Sequence, residues 1–158
     1  MRENICGGLN IGATLKNGNL TARQLRNFEH AKHAAEMSDF RVHVGAVAVL
    51  GKQILNVGFS NSKSHPLQSH YDKYRNLKPD NRITSTLHAE IHCLAPIMHH
   101  ENVDWSKVVL YVYRIRKERP HGMARPCAAC MRMIRECEIK NIAYTTDDGF
   151  AFERIDEY

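Results

Sequence analysis

The chain has 158 residues, of which 43% are hydrophobic and 25% charged, and its formal net charge at pH 7 is +5. This length suits one compact domain and is too short for two ordinary ones, and no apolar run approaches the roughly 18 residues that cross a membrane. Residues 1–19 lack an apolar secretion core, and five cysteines suit a reducing compartment better than a disulfide framework. We therefore expect a cytoplasmic protein with no membrane partner, whose positive charge favours an anionic substrate.

The residue pattern predicts a leader and one α/β domain. Residues 1–20 are polar and contain several glycines, so we expect a flexible leader followed by a single domain over 21–158. In chain order the pattern predicts a helix over 21–37, strands over 42–50 and 53–59, a long loop over 60–86, a helix over 87–98, a strand over 108–115, a helix over 127–136, and strands over 140–145 and 150–155. This order predicts helices packed on a five-stranded sheet whose last strand is antiparallel to its neighbour.

Local signals support the boundaries of these elements. Thr21 is a good N-cap, and Gln24 three residues later completes a capping box. The dipeptide Gly51-Lys52 between the first two strands predicts an antiparallel hairpin. Pro96 should kink or shorten the second helix.

Two short motifs carry the chemistry of the sequence. A His-x-Glu motif opens the second predicted helix, and a Pro-Cys-x-x-Cys motif opens the third. A catalytic zinc site has three protein ligands, commonly imidazole or thiolate, and leaves a fourth position for water. His88, Cys127 and Cys130 supply that count, and helix starts stabilise thiolates through their unpaired N–H groups. Glu90 lies close enough to the histidine to carry protons without being a ligand.

Each motif alone also occurs in proteins that have no catalytic zinc. His-x-Glu on a helix is commonly a surface pair, and Cys-x-x-Cys occurs in zinc ribbons and in thioredoxin-like redox proteins. Cys6, Cys93 and Cys137 do not supply the second pair of a ribbon, and two strands and a helix precede the motif where a thioredoxin fold has an early strand. A third possibility is a catalytically inactive zinc scaffold that binds a partner, but such a scaffold has no use for Glu90. The two motifs together favour a catalytic zinc site.

With the motifs in this order, the chain resembles the cytidine/deoxycytidylate deaminase superfamily, whose zinc enzymes carry His-x-Glu and Pro-Cys-x-x-Cys. The resemblance covers roughly residues 21–146, and residues 44–47 and 57–61 are similar to the first two strands of the family. It implies a three-layer α/β/α domain with a five-stranded mixed sheet and a Zn²⁺ cofactor. It also implies hydrolytic deamination of a cytosine nucleotide or nucleoside of the CMP/dCMP type, giving the uracil product and ammonia.

The resemblance further implies particular substrate contacts. Asn61 would contact the sugar or base, the backbone N–H of Ala89 would bind the pyrimidine carbonyl oxygen, and backbone carbonyls near Pro126 would receive the exocyclic amine. Glu90 would take a proton from the activated water and pass it to the ring nitrogen and the departing amine. We expect a homo-oligomer that binds a small nucleotide or nucleoside.

Basic residues crowd the segment before the cysteine motif. They are Arg116, Lys117, Arg119, His121 and Arg125. One interpretation is a solvated loop, and the other is a phosphate-binding rim in which Arg119 and Arg125 bind substrate. The alternative function is a cytosine or adenine deaminase acting on single-stranded DNA or RNA, which would need stacking aromatics and a basic groove around the pocket. Trp105, the only tryptophan, does not flank the cysteines, which disfavours editing.

The predicted loop over 60–86 is unusually long, and a loop of this length is usually functional. It is closer to the insertion of deoxycytidylate-type enzymes than to the corresponding segment of tRNA adenosine deaminases, and the final hairpin is nearer to the free-nucleoside branch. A second, structural zinc site could be built from His65, His70, His92 and Cys93. The alternative is that these side chains bind water or backbone.

Overall fold

The computed structural model describes residues 19–75 and 86–155. The predicted leader therefore lies almost wholly outside the described residues, as does the second part of the 60–86 segment. The helices are α1 (Ala22–Glu36), α2 (Pro66–Asp72), α3 (Ala89–Leu94) and α4 (Ala128–Glu136), and a short 3₁₀ helix spans Trp105–Lys107. The strands are β1 (Val44–Leu50), β2 (Gln53–Phe59), β3 (Val108–Arg114), β4 (Asn141–Thr145) and β5 (Phe150–Arg154).

The five strands form one mixed sheet in the order β2-β1-β3-β4-β5. Strands β3 and β4 are parallel, whereas the β1–β2, β1–β3 and β4–β5 pairs are antiparallel. The parallel pair needs a crossover, and α4 supplies it. The predicted mixed sheet and the antiparallel final hairpin are both confirmed.

Helices cover both faces of the sheet, which confirms the three-layer arrangement. On one face, Phe28 of α1 packs against Tyr111 and Phe150 of the sheet. On the other face, α3 and α4 bury their apolar side chains against residues such as Leu110 and Ile142. Strand β1 is buried on both faces, so its sequence is a continuous apolar run rather than an alternating one.

Two glycines allow the helices to lie directly on the sheet. A Cβ atom at Gly45 would collide with backbone atoms of Ala31 and Ala35 in α1. A Cβ atom at Gly58 would collide with backbone atoms of Ala89 and Cys93 in α3. The close approach at Gly58 holds the helix that carries the His-x-Glu motif against β2.

The boundaries of α1 and α3 agree with the local signals. The capping box of α1 is present, because the Thr21 hydroxyl accepts from the Gln24 N–H at 3.1 Å and Gln24 Oε1 accepts from the Thr21 N–H at 2.9 Å. Helix α3 ends at Leu94, which makes it shorter than the predicted 87–98 helix, and Pro96 follows that end.

The interpretation of residues 60–86 as one loop is wrong in its first part, because it contains helix α2. His65 caps this helix by accepting from the Leu67 N–H at 3.1 Å, and Pro66 occupies its first turn, where a missing N–H costs nothing. No helix in the described ranges is long and apolar enough to cross a membrane.

Candidate metal centre and active-site pocket

The two predicted ligand motifs meet on the side of the sheet that carries α2, α3 and α4. His88 is the N-cap residue of α3, and Cys127 is the N-cap residue of α4, with Cys130 in the first turn. Both N-cap residues have extended backbone conformations, so their side chains lie ahead of the helix starts. The helix starts thus bring one imidazole and two sulfurs together.

The three side chains fit a zinc ion. His88 Nδ1 lies 3.5 Å from Cys127 Sγ and 3.4 Å from Cys130 Sγ. A tetrahedral ion with ordinary Zn–S and Zn–N bond lengths separates sulfur and nitrogen ligands by about 3.6 Å. All three ligand atoms lie within 4.8 Å of one another, and this is the one such group of three that the described residues form. The nitrogen that faces the sulfurs is Nδ1, so His88 would bind through that atom.

The electrostatics of the cluster suit a thiolate site. Hydrogen bonds from Cys130 and His88 lower the pKa of the Cys127 thiol to about 4. The hydrogen bond to Cys127, together with burial, raises the pKa of Cys130 well above its usual value. Burial lowers the pKa of His88, but its hydrogen bond with Cys127 and the nearby negative charge of Glu90 raise it by more. Zinc binds thiolates rather than thiols, so binding of Zn²⁺ would release the protons of both cysteines.

Glu90 lies beside the cluster without belonging to it. Its side chain is 6% exposed, and its Oε2 lies 3.6 Å from Cys130 Sγ. Burial raises the pKa of this carboxyl group. The position of Glu90 in the first turn of α3 directs a carboxylate into the site while leaving the three-ligand set complete.

A pocket of about 260 Å³ opens onto the cluster. It lies just below the usual range of small-molecule sites, about 300–1,000 Å³, and so suits one compact ligand. The residues that line it include His88, Ala89, Glu90, Arg114, Arg125 and Cys127. Phe40 and Val42 add apolar surface to the same pocket.

Gln68 is a supporting residue that the sequence did not reveal. Its side chain is fully buried, and its Oε1 accepts from the backbone N–H of His88 at 2.9 Å. Its Nε2 donates to Asp72 Oδ1 at 2.8 Å, and Asp72 is 3.6 Å from Arg75. Gln68 therefore fixes the residue that carries the imidazole ligand, although nothing in the sequence distinguishes it from other polar residues of its segment.

The predicted substrate residues Asn61, Ala89 and Pro126 all lie near the cluster. Ala89 lines the pocket as the first residue of α3, and Pro126 lies between the pocket-lining residues Arg125 and Cys127. The backbone N–H of Asn61 donates to the carbonyl of Leu87 at 3.1 Å, which places Asn61 next to the segment that leads into His88. The side-chain amide of Asn61 bonds to the local backbone, and Asn61 is outside the pocket lining.

The basic segment is divided among several environments. Arg119 is in an exposed ion pair with Asp147 at 3.6 Å. Arg125 lines the pocket, but its Nε and Nη2 atoms bond to the buried Glu153 at 2.9 and 2.7 Å. His121 is buried against the carbonyl of Thr146. Arg116 and Lys117 line a separate cavity. The segment is therefore not one continuous rim.

The candidates for a second zinc site do not come together among the described residues. Each has another contact in the fold. His65 accepts from the Leu67 N–H, His70 packs on the Tyr71 ring, His92 accepts from the Phe59 N–H, and Cys93 donates to the Asn56 carbonyl. The bonds of His65, His92 and Cys93 are to backbone groups, as the alternative interpretation of these side chains predicted.

Comparison with known proteins places the chain in a family. The family model described as the cytidine and deoxycytidylate deaminase zinc-binding region matches residues 22–146. The chain belongs to this family. Its cofactor is Zn²⁺, and family membership makes the chain a zinc-dependent deaminase of the nucleoside and nucleotide class. No curated protein matches the sequence.

Solved structures with a similar fold include the apo dCMP deaminase of the cyanophage S-TIM5, with 19% identity over 80% of this chain and 86% of that chain, and a TM-score of 0.54. The same phage enzyme in complex with dCMP and dUMP is 18% identical over 80% and 83% of the two chains, with a TM-score of 0.52. The cytidine deaminase of Burkholderia pseudomallei is 16% identical over 85% and 93%, with a TM-score of 0.55. At these identities the likeness establishes the fold alone.

Proposed function

We propose that this deaminase removes the exocyclic amine of cytosine by hydrolysis, acting on a free nucleotide or nucleoside of the CMP/dCMP type and releasing ammonia. The observation that carries the proposal is the position of Glu90. This carboxylate is buried at the wall of the pocket, next to a complete set of three zinc ligands of which it is not a member. A purely structural zinc site needs no such group, whereas hydrolytic deamination needs a proton carrier at this place.

The zinc ligands and Glu90 have different roles in the proposed reaction. His88 Nδ1 and the sulfurs of Cys127 and Cys130 would hold Zn²⁺, which when bound supplies a hydroxide nucleophile near neutral pH. Glu90 accepts one proton from the attacking water and delivers it to the ring nitrogen, where it stays. It then takes the second proton from the new hydroxyl group on the reacting carbon and delivers it to the amine, which leaves as ammonia. The carbonyl oxygen of the product replaces the amine at the same carbon.

Three residues are proposed to orient the base. The N–H of Ala89 is the first amide of α3, and the first amides of a helix have no partner within it, so it can donate to the carbonyl oxygen of the base. The carbonyl groups near Pro126 accept from the exocyclic amine. Asn61 contacts the sugar or base with the donor and acceptor capacity that its local bonds leave over, since an amide offers two N–H groups and two lone pairs.

The predicted phosphate contacts of Arg119 and Arg125 stay predictions. A phosphate would have to compete with Asp147 for Arg119 and with Glu153 for Arg125. The pair with Glu153 leaves Nη1 of Arg125 out, so this nitrogen is the one that would reach a ligand in the pocket.

The assembly and the compartment also belong to the proposal. We infer a homo-oligomer that uses the edge strand β2, because Ile54 and Val57 are apolar residues of that strand with 38% and 40% of their surface exposed. Light scattering at several concentrations tests for the oligomer.

We also propose that the protein is cytoplasmic. The buried Cys93 and Cys137 are free thiols, as expected in a reducing compartment.

The test of function is Glu90→Gln. An amide cannot carry the proton, so we expect turnover of cytidine, deoxycytidine and their monophosphates to fall by at least about 10²-fold, while the zinc content stays at the wild-type level. The matched control is Glu101→Gln, which removes an exposed carboxylate after α3 and should leave turnover unchanged. Retained turnover in Glu90→Gln would remove Glu90 from the mechanism. A wild-type enzyme that deaminates adenine substrates in place of cytosine ones would refute the choice of base.

A further inference from the structure

A second cavity, of about 520 Å³, adjoins the active-site pocket and is lined mainly by basic side chains. We call it the basic groove. Its lining residues are Arg41, Val42, His43, Arg114, Ile115, Arg116 and Lys117. None of these seven residues is acidic, and four of them are arginine or lysine.

The fold explains why residues so distant in sequence meet here. Strands β1 and β3 are antiparallel, with Val44 opposite Arg114, so the beginning of β1 and the end of β3 lie at the same end of the sheet. The N–H of Ile115 donates to the carbonyl of His43 at 2.9 Å and continues the pairing beyond the strands. Arg41 and Lys117 follow outward on the two chain segments.

Arg114 connects the basic groove to the pocket. Together with Val42 it lines both cavities. Side chains alternate along a strand, so Arg114 faces the same side of β3 as Leu110 and Val112, which is the side of the zinc ligands. Its backbone is fixed on both sides, because its N–H donates to Thr145 Oγ1 at 3.1 Å and its carbonyl accepts from the Gly122 N–H at 2.9 Å.

The charge of the groove is not neutralised within the described part of the chain. Arg119 and Arg125 have the carboxylates of Asp147 and Glu153 as partners, whereas no described ion pair includes Arg41, Arg116 or Lys117. Concentrated positive charge of this kind favours an anionic ligand, and arginine binds phosphate through two parallel hydrogen bonds.

We propose that the basic groove binds the phosphate of the substrate whose base occupies the pocket. The inference rests on the proposed deaminase function and narrows its substrate class to phosphate-bearing nucleotides. It differs from the predicted rim at Arg119 and Arg125, because here Arg114 is nearest to the pocket and Arg41 and Arg116 lie farther out. The ligand chemistry is a phosphate ester beside a pyrimidine base, as either a free monophosphate or one unit of a single strand.

The test compares Arg41→Gln/Arg116→Gln with a matched double variant, Lys32→Gln/Lys52→Gln. Lys52 lies in the β1–β2 turn at the far end of β1, and Lys32 lies on α1, so the control removes the same net charge away from the groove. The measured quantity is the ratio of kcat/KM for cytidine 5′-monophosphate to kcat/KM for cytidine, with the deoxy pair in parallel. This ratio cancels any general damage to the zinc site.

We expect the wild-type enzyme to prefer the monophosphate, and we expect the ratio to fall about tenfold in Arg41→Gln/Arg116→Gln and to stay within twofold in the control. A five-nucleotide strand containing one cytosine distinguishes the source of the phosphate. Preference for the strand, with activity that falls steeply between two salt concentrations, would assign the groove to a polymer. Preference for the bare nucleoside, or equal ratios in the two double variants, would overturn the proposal.

Binding of the products separates this inference from the proposed function. Calorimetric titration with uridine 5′-monophosphate and with uridine requires no turnover. Suppose that no cytosine substrate is deaminated, but that the monophosphate binds at least tenfold more tightly than uridine and that this preference is lost in Arg41→Gln/Arg116→Gln. The proposed function is then wrong, and the proposed phosphate site is right. If deamination proceeds and the two products bind equally, then the groove is wrong and the function stands.

Discussion

Replacing Gln68 by methionine should weaken the binding of zinc without touching a ligand. Gln68 is fully buried and holds the backbone N–H of His88 at 2.9 Å. Methionine keeps the length of the side chain but can replace neither this bond nor the one to Asp72. His88 would then lose one of the contacts that fix its backbone, and the loss of a residue that orients a metal ligand commonly lowers metal affinity by about 10–100-fold.

The loss of folding stability in this variant follows from the loss of the same two hydrogen bonds. The His88 N–H is partly buried, and leaving such a group without an acceptor costs up to about 1–3 kcal/mol. The loss at Asp72 is smaller, because Arg75 remains within 3.6 Å of its carboxylate. With about 0.5–1 kcal/mol for that second bond, the sum is about 1.5–4 kcal/mol, which for a chain of this size corresponds to a fall in Tm of roughly 3–16 °C.

The control is Gln24→Met. Gln24 is also a buried glutamine whose Oε1 accepts a backbone N–H at a helix start, but it lies in α1, on the opposite face of the sheet. We expect it to lower stability by about 1 kcal/mol and leave zinc affinity unchanged. Affinity is measured by competition with a chelator, at a temperature where circular dichroism shows both metal-free variants folded. Equal zinc affinities in the two variants would refute the positioning role of Gln68.

Two further predictions follow from single contacts. Cys127→Ser should reduce zinc from about one ion per chain to a small fraction of that in elemental analysis, whereas Cys137→Ser should not, because Cys137 lies outside the ligand cluster. Tyr71→Phe removes the hydrogen bond that Tyr71 donates to Glu136 at 2.5 Å and that holds the pKa of Glu136 below its usual value. A lowered carboxyl pKa stabilises the fold above the unfolded pKa, near 4.3, and this stability is lost as pH falls through the folded value. The free energy of unfolding, measured in urea, should therefore be about 0.5–1 kcal/mol lower in the variant than in the wild type at pH 7, and the difference should shrink in acid. A difference that does not change with pH would contradict this reasoning.

The sequence predicted those elements whose signals are local. The capping box at Thr21 and the Gly51-Lys52 turn each depend on contacts between residues only a few positions apart. Helix α1 and the first hairpin could therefore be predicted from the local sequence alone. Helix α2 was missed because its seven residues are mostly polar and give no apolar periodicity. It is held by distant contacts, such as the one from Tyr71 to Glu136 of α4, which no local pattern encodes.

The same distinction between local signals and distant contacts applies to the candidate site. The zinc ligands and the proton carrier Glu90 could be predicted from the sequence because their spacing within each motif reflects one helix turn or less, and the structure brings the three predicted ligands together. The sequence grouped basic residues by proximity along the chain, and this could not show that Arg119 and Arg125 have carboxylate partners in the fold. Whether an arginine can bind a ligand depends on carboxylates that are distant in sequence, as Glu153 is from Arg125. Arg41 lines the basic groove although it lies far from Arg114, Arg116 and Lys117 in sequence.

Helix α2 gives the long segment after Asn61 a structural role at the metal centre. It contacts both helices that carry ligands, since Gln68 bonds to the start of α3 and Tyr71 bonds to Glu136 near the end of α4. Just after it, Tyr74 packs under the guanidinium of Arg132 in α4 at 4.8 Å. Helix α3 has six residues, too few to be stable alone, so its position depends on such contacts and on the close fit at Gly58. The separation between His88 and the two cysteines is therefore set in part by a segment that contributes no ligand.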